Sequence, residues 1–484
     1  MKTKEDYINS LKKRKLNAYL FGERIENTVT NPVIEPSLNS MAMTYSLAEE
    51  EEHVELMCAT SNLTGKIINR FTHLHQNTDD LVKKVKMQRL IGRKTASCFQ
   101  RCVGLDAANA VYSTTYDIDK KYKTNYHKRF IKYWTRVQEL DLAVAGSMTD
   151  PKGDRSLSPS QQKDPDLFLH VIEYKKDGVI VKGAKVHQTG VLNCHEILVM
   201  PTMRMKEGEE EYSISFGLPT DTDGLTIIYG RQSSDKRKLE EFTDIDLGNK
   251  QFGGHEALIV FDHVFVPNER IFLNGEYDFT GILIERFAGY HRQGYGGCKS
   301  GVGDVLIGAS SVAADYNGTS KASHIKDKLI EMIQLNETLY SCGIASSCEG
   351  KKTEAGNYQI DMLLANVCKQ NVTRFPYEIA RLAQDIAGGL IATMPSEADY
   401  QNPGTKEYIE KYLCGVDGIP TEDRMKIFRL IENLTLGTAA VSYLTESLHG
   451  AGSPQAQRIM IAREGNLEEK KSYAKAISRI VEIE

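Results

Sequence analysis

The sequence predicts an α+β protein of three successive segments: helical over residues 1–145, β over 146–275 and helical again over 276–484. Apolar residues recur every three and four positions in the outer segments, whereas the middle one consists of short apolar runs bounded by turn residues. At about 150 residues per domain, a chain of 484 holds about three such units around at least one large core. It carries no internal repeat and no uninterrupted apolar run of about 18 residues, which argues against a solenoid or a membrane-spanning chain.

In the first segment the helical spacing is clearest from Leu81 to Ile91. In the second, the runs Leu167–Tyr174 and Val179–Val181 flank the turn residues Asp177 and Gly178 as a hairpin. Further strands are expected at Glu196–Met200, Leu225–Tyr229 and Ala257–Phe261, with Pro267 closing the run. The helical period returns in Ile325–Ile333 and Ile379–Ala383. A ligand in such an order sits where the layers meet, so the motifs are expected to gather at that junction.

Lysine and arginine number 60 and aspartate and glutamate 65, a formal net charge of −5. That balance holds neither nucleic acid nor an anionic membrane by charge alone, and no partner of either kind is expected. Hydrophobic residues at 41% and charged residues at 26% fit a globular chain and not a disordered one. The stretch Met1–Tyr7 is charged, with no apolar signal-peptide region behind it. Nine scattered cysteines, an odd number, read as thiols or metal ligands in a reducing compartment, so a cytoplasmic location is expected.

Cys98 and Cys102 stand four apart, which on a helix projects both thiols from one face about a turn apart. They are either two ligands of one centre or two buried small side chains. Leu105 stands where a third cysteine would complete a C-x3-C-x2-C motif. His291 and Cys298, seven apart, share a helix face if their segment is helical. Gly294, Gly296 and Gly297 are costly there unless something approaches the backbone closely, and a glycine-rich loop is the alternative. Three thiolates and an imidazole suit an iron–sulfur cluster or a structural zinc ion, and the spacing leaves both open. His73 and His75 read as ordinary helix surface.

The turn Met148–Arg155 offers backbone donors and both charge signs, as a cofactor cradle or a solvated loop does. Gln188 and Thr189 follow a strand, where they either meet a heteroaromatic ring or simply end the strand. Gly388 and Gly389 follow a helix, as a C-cap or as exposed backbone beside a ligand. No G-x-G-x-x-G joins a strand to a helix, which weighs against a Rossmann site.

Five strings resemble the 4-hydroxybutyryl-CoA dehydratase/vinylacetyl-CoA Δ-isomerase family: KTASCFQRC at 94–102, TDPKGDR at 149–155, GGHEA at 253–257, YHRQGYGGCK at 290–299 and TESLHGAGSP at 445–454. The resemblance covers essentially the whole chain. It implies the acyl-CoA dehydrogenase-like fold of a wider superfamily that includes flavin-dependent 4-hydroxyphenylacetate 3-monooxygenases. It further implies a homotetramer binding FAD and a [4Fe-4S] cluster with Cys98, Cys102, His291 and Cys298 as ligands, which sets zinc aside. For FAD it points to Thr149, Lys152, Gly153, Asp154, Arg155, Gln188, Thr189, Gly388 and Gly389. Related monooxygenases have no such cluster, so the cysteine pair and the His–Cys pair are its specific part.

The implied chemistry is radical dehydration of 4-hydroxybutyryl-CoA to crotonyl-CoA and isomerisation of vinylacetyl-CoA to the same product, in anaerobic 4-aminobutyrate fermentation. The thioester acidifies the C2 proton but not the C3 proton, so an electron lent to the flavin and later returned makes elimination feasible and redox neutral. On this resemblance His291 is a displaceable iron ligand and a candidate base, with its iron as Lewis acid. Glu256 and Glu446 are the acid/base pair, Tyr295 orients substrate, Lys299 steadies negative charge and Gln100 orients groups between the cysteines. Outside the family's motifs each would read as a packing or surface residue. The alternatives on this fold are a flavin monooxygenase with a reductase partner and an acyl-CoA dehydrogenase with an external acceptor. A non-catalytic iron–sulfur redox protein is the alternative from another class.

Overall fold

The computed structural model describes residues 1–232 and 234–480. Its first third holds helices α1 (Lys4–Leu11), α2 (Glu35–Glu49), α3 (Val54–Met57), α4 (Thr78–Thr95), α5 (Cys102–Tyr122) and α6 (Tyr126–Glu139). Local chemistry sets their ends. Asn77 caps α4 by accepting the Asp80 N–H, acidic Asp79 and Asp80 occupy its first turn, and left-handed Ala96 terminates it. The same third holds short strands that have no periodicity to read: β1 (Ala18–Leu20), β2 (Glu23–Arg24), β3 (Cys58–Thr60) and β4 (Ile67–Asn69).

The middle strands are β5 (Val144–Ser147), β6 (His170–Tyr174), β7 (Gly178–Lys185), β8 (Glu196–Val199), β9 (Ile214–Pro219), β10 (Leu225–Tyr229), β11 (Ala257–Pro267) and β12 (Ile271–Asn274). They form a six-stranded sheet, β2-β1-β10-β11-β7-β6, and a four-stranded one, β12-β9-β8-β5. The expected hairpin is β6–β7, with Tyr174 opposite Val179. Leu167 was expected to begin β6, but Pro165 and the Asp164 cap start a 3-10 turn there, and the strand opens at His170. The first segment is stitched into the larger sheet because β1 runs parallel to β10, Ala18 opposite Ile227. Val181, Ile197, Phe216, Ile259 and Phe261 bury the facing sides of both sheets in one core.

Beyond β12 come α7 (Thr280–Tyr316), α8 (Ser323–Cys348), the small hairpin β13 (Lys351–Lys352) with β14 (Tyr358–Gln359), α9 (Met362–Val372) and α10 (Phe375–Ala387). Long α7 packs against α4, α5, α8, α9 and α10. Its glycines lie within the helix and not in a loop. A Cβ on Gly297 would stand 2.3 Å from the Val85 carbonyl oxygen, and one on Gly296 would stand 2.8 Å from the Gly343 Cα. Glycine therefore lets the backbones of α4 and α8 close on α7.

His73 and His75 are corrected: both are buried and precede α4 in a non-helical stretch. The His73 ring lies 2.9 Å from the Asp80 carboxylate, which also receives Arg70 at 3.0 Å. Among the described residues no helix is long and apolar enough to cross a membrane.

Candidate active site

Cys98 lies in the link between α4 and α5, which corrects the reading of two thiols on one helix face. Ala96 and Gln100 both adopt left-handed backbone, φ 47° and 66°, and α5 begins only at Cys102. One thiol thus comes from a turn and the other from the first turn of a helix. The buried Gln100 amide secures the turn, donating to the carbonyls of Ser37 (2.9 Å), Cys98 (3.2 Å) and Gly253 (3.3 Å). With its amide spent on backbone, Gln100 holds the cysteine link in place.

His291 and Cys298 do share α7. Cys298 packs into the small apolar cluster that contains Cys102, Met87 and Phe99. The His291 ring is stacked on Phe287 at 5.7 Å and meets Tyr295 edge-on at 5.0 Å. Its Nδ1 donates to Asp106 Oδ2 at 2.8 Å. Burial first, then the charges of Glu446 and of Cys298, Cys102 and Cys98, push the Tyr295 hydroxyl well above its usual range, and Cys298 packs against this ring. Burial also raises the thiols themselves, helped by Glu446 at Cys98 and by Asp106 at Cys102. Thiols raised in this way stay protonated until a metal binds the sulfur and displaces the proton.

Among the described residues, the set of three or more His, Cys, Asp or Glu ligand atoms lying within 4.8 Å of one another is Glu50, Glu52 and His53, of which Glu50 and His53 are half-buried and Glu52 exposed. The three thiols form no such set.

Facing these groups are the two predicted carboxylates. Glu446 follows a π-helical turn, Val441–Thr445, whose altered register frees the Ser442 carbonyl. The Lys299 ammonium donates to that carbonyl and to Glu446 Oε2, the latter at 3.0 Å. Burial works against the Lys299 charge, but Glu446 and Cys298 outweigh it and raise its pKa. Glu256, at the entry to β11, accepts the Thr189 hydroxyl at 2.8 Å on each oxygen. Burial and the adjoining Glu446 charge hold Glu256 well above the usual carboxylate range, and the two carboxyls share a hydrogen bond. One carboxyl of the pair thus keeps a proton while the other is ion-paired, a division that suits acid/base work.

The flavin candidates divide. Lys152 donates to Thr202 at 3.1 Å, and His187 takes left-handed backbone (φ 59°) just before Gln188. The Thr149 carbonyl accepts the Val186 N–H at 2.8 Å, and Gly153 takes φ 50° beside Gln162 and Leu167. Asp154 caps Ser156, and both Asp154 and Arg155 are exposed. Gln188 donates to Val186 O at 2.6 Å and leaves a buried side-chain oxygen without a partner, while Thr189 belongs to Glu256. Gly388 and Gly389 are exposed at the C-terminal end of α10, and no contact among the described residues joins them to this group.

Four residues escaped the sequence reading: Asp106, Lys84, Ser442 and Lys369. Lys369 lies 4.4 Å from the Tyr295 ring centroid, opposite Lys299 at 5.0 Å, and donates to the Ser447 carbonyl. Burial and neighbouring Lys299 lower its pKa well below the usual range. The available signal for Asp106 was an acidic residue set among Leu105, Ala107, Ala108 and Ala110, an unusual neighbourhood for an exposed carboxylate.

The 4-hydroxyphenylacetate 3-hydroxylase family profiles match this chain, the N-terminal one over residues 3–273 and the C-terminal one over 280–479. The chain is 64% identical, over 99% of both sequences, to the 4-hydroxybutyryl-CoA dehydratase/vinylacetyl-CoA-Δ-isomerase of Clostridium aminobutyricum. Its structure matches an oxygen-tolerant archaeal 4-hydroxybutyryl-CoA dehydratase from N. maritimus with TM-score 0.97 and 54% identity, covering 100% of this chain and 96% of the other. It also matches the oxygenase component of 4-hydroxyphenylacetate 3-monooxygenase complexed with FAD, with TM-score 0.86, 22% identity and coverage of 99% and 98%, a likeness of fold alone.

Proposed function

We propose, since the chain belongs to the 4-hydroxybutyryl-CoA dehydratase/vinylacetyl-CoA-Δ-isomerase family within the 4-hydroxyphenylacetate 3-hydroxylase superfamily, that it dehydrates 4-hydroxybutyryl-CoA to crotonyl-CoA and isomerises vinylacetyl-CoA to the same product. It is a lyase with isomerase activity. The strongest support beyond the family match is that two distant stretches meet here: Cys298 packs beside both Cys102 and Tyr295, His291 meets Tyr295 edge-on at 5.0 Å, and Lys299 pairs with Glu446 at 3.0 Å.

Cys98, Cys102, Cys298 and Nε2 of His291 would hold a [4Fe-4S] cluster, the donor set of three thiols and one imidazole fitting it in chemistry. The 149–155 loop, Gln188 and Thr189 would hold FAD, and the unpartnered Gln188 oxygen supports that fit. Gly388 and Gly389, exposed at the end of α10, would meet the flavin of another subunit in a homotetramer. When bound, the flavin supplies one-electron chemistry and the cluster a Lewis-acidic iron.

The chain's own groups handle protons and charge. Glu446, ion-paired to Lys299, accepts a proton from the substrate, and Glu256 keeps one to deliver to a departing hydroxyl. The Lys299 ammonium stabilises negative charge as it develops beside Glu446, and burial keeps bulk water from competing. Tyr295, wedged between two lysines, holds the ring wall against which His291 is set. A cytoplasmic, anaerobic setting suits this chemistry.

The test is an anaerobic assay with 4-hydroxybutyryl-CoA and no added oxidant. Crotonyl-CoA is the expected product. A requirement for oxygen and a reductase would point instead to a monooxygenase, and a requirement for an external electron acceptor to an acyl-CoA dehydrogenase.

A further inference from the structure

The Asp106 carboxyl on α5 is fully buried, and both of its oxygens are engaged. Oδ1 receives the Lys84 ammonium from α4, and Oδ2 receives His291 Nδ1 from α7 at 2.8 Å. Lys84, itself fully buried, spends its remaining donors on the Tyr290 carbonyl (2.7 Å) and Gln293 Oε1 (3.0 Å), either side of His291. The lysine thus ties the carboxylate to the same turn of α7 that carries the imidazole. Phe287 and Tyr295 fix the plane of that ring.

We propose that Asp106, anchored by Lys84, is the positioning residue that decides which nitrogen His291 turns toward the three thiols. The inference rests on the cluster reading given above. A carboxylate can only accept, so a neutral imidazole here carries its proton on Nδ1 and its lone pair on Nε2. A neutral ring without that acceptor has two tautomers and a looser orientation, and a ligand presented by the wrong tautomer has no lone pair to give.

Asp106→Asn tests this without changing the side chain's shape. The amide oxygen stays with Lys84, so the NH2 takes the place of Oδ2 and donates to Nδ1, which moves the ring proton to Nε2. In full-length protein purified without oxygen, the variant is expected to lose iron to a chelator about 10–100-fold faster, with FAD per chain unchanged. In chelator-stripped protein labelled with 15N-histidine, the His291 signal is assigned by its absence from His291→Gln. It should report a protonated Nδ1 in the unaltered chain and a protonated Nε2 in Asp106→Asn.

Iron loss within twofold of the unaltered chain, together with an unmoved tautomer, overturns the proposal. So does an unaltered chain whose His291 carries its proton on Nε2, a measurement that needs no variant to fold. An unaltered chain that binds no iron, yet shows the Nδ1 proton and loses it in Asp106→Asn, supports the Asp106 link and overturns the cluster reading alone.

Discussion

The two stretches that bring ligands to the site are built in opposite ways. His291 and Cys298 ride one continuous helix, so their separation is set by helical geometry and by the glycines that let α4 and α8 press against it. Cys98 and Cys102 flank left-handed Gln100, and their separation is set by that residue and the backbone carbonyls its side chain ties together, beyond the left-handed Ala96 that ends α4. Two spacings that both suit one face of a helix, four and seven, thus rest on different physics: helix packing for the seven, local backbone strain and hydrogen bonding for the four.

Removing a ligand from either stretch has the largest expected effect. Cys98→Ala and Cys298→Ala should each abolish crotonyl-CoA formation and bring iron and acid-labile sulfide down together. A Cys98→Ala protein that keeps its iron would break the comparison by taking the turn out of the ligand set.

The next two changes sharpen the comparison by disturbing each stretch while sparing its ligands. Gly297→Ala puts a Cβ 2.3 Å from the Val85 carbonyl oxygen, backbone against backbone, so α4 and α7 must separate. A loss of about 1–3 kcal/mol in denaturant unfolding is expected, together with loosened iron. Gln100→Ala takes a shared donor from the buried Ser37 carbonyl and the half-buried carbonyls of Cys98 and Gly253 and should cost about 1–3 kcal/mol, with iron loss outrunning the loss of global stability because the damage is local to Cys98.

The smallest effect concerns the carboxylates that both stretches face. Glu256 in the folded chain titrates well above its ordinary 4.5. Between those two values the folded state binds more protons than the unfolded, so Glu256 costs stability progressively as pH rises through that window. The denaturation midpoint of Glu256→Gln relative to the unaltered chain should therefore climb from pH 4.5 upward. A gap that stays flat with pH would show that Glu256 is not held protonated.

What the sequence disclosed and what it hid follow the same division. The order helix, sheet, helix was legible because α4, α8 and α10 and strands such as β10 carry clear periods. The three- and two-residue strands β1 and β2, and the uniformly buried β5, carry none. His291 and Cys298 were placed on one helix face by counting, whereas the Cys98 link could not be, since no residue type there announces a left-handed backbone. Asp106 and Lys84 were hidden for another reason: a buried ion pair joins residues far apart in the chain, and only the folded packing of α4, α5 and α7 brings them together.

The central claim is that two distant stretches grip one cluster through three thiolates and one imidazole. Its most direct test is the 57Fe Mössbauer spectrum of the anaerobically purified chain, set beside His291→Cys. The account predicts a [4Fe-4S] signature with one distinct iron, and a variant that keeps its iron but loses that distinction. A chain without iron, or one whose iron sites are unchanged by the substitution, would contradict it.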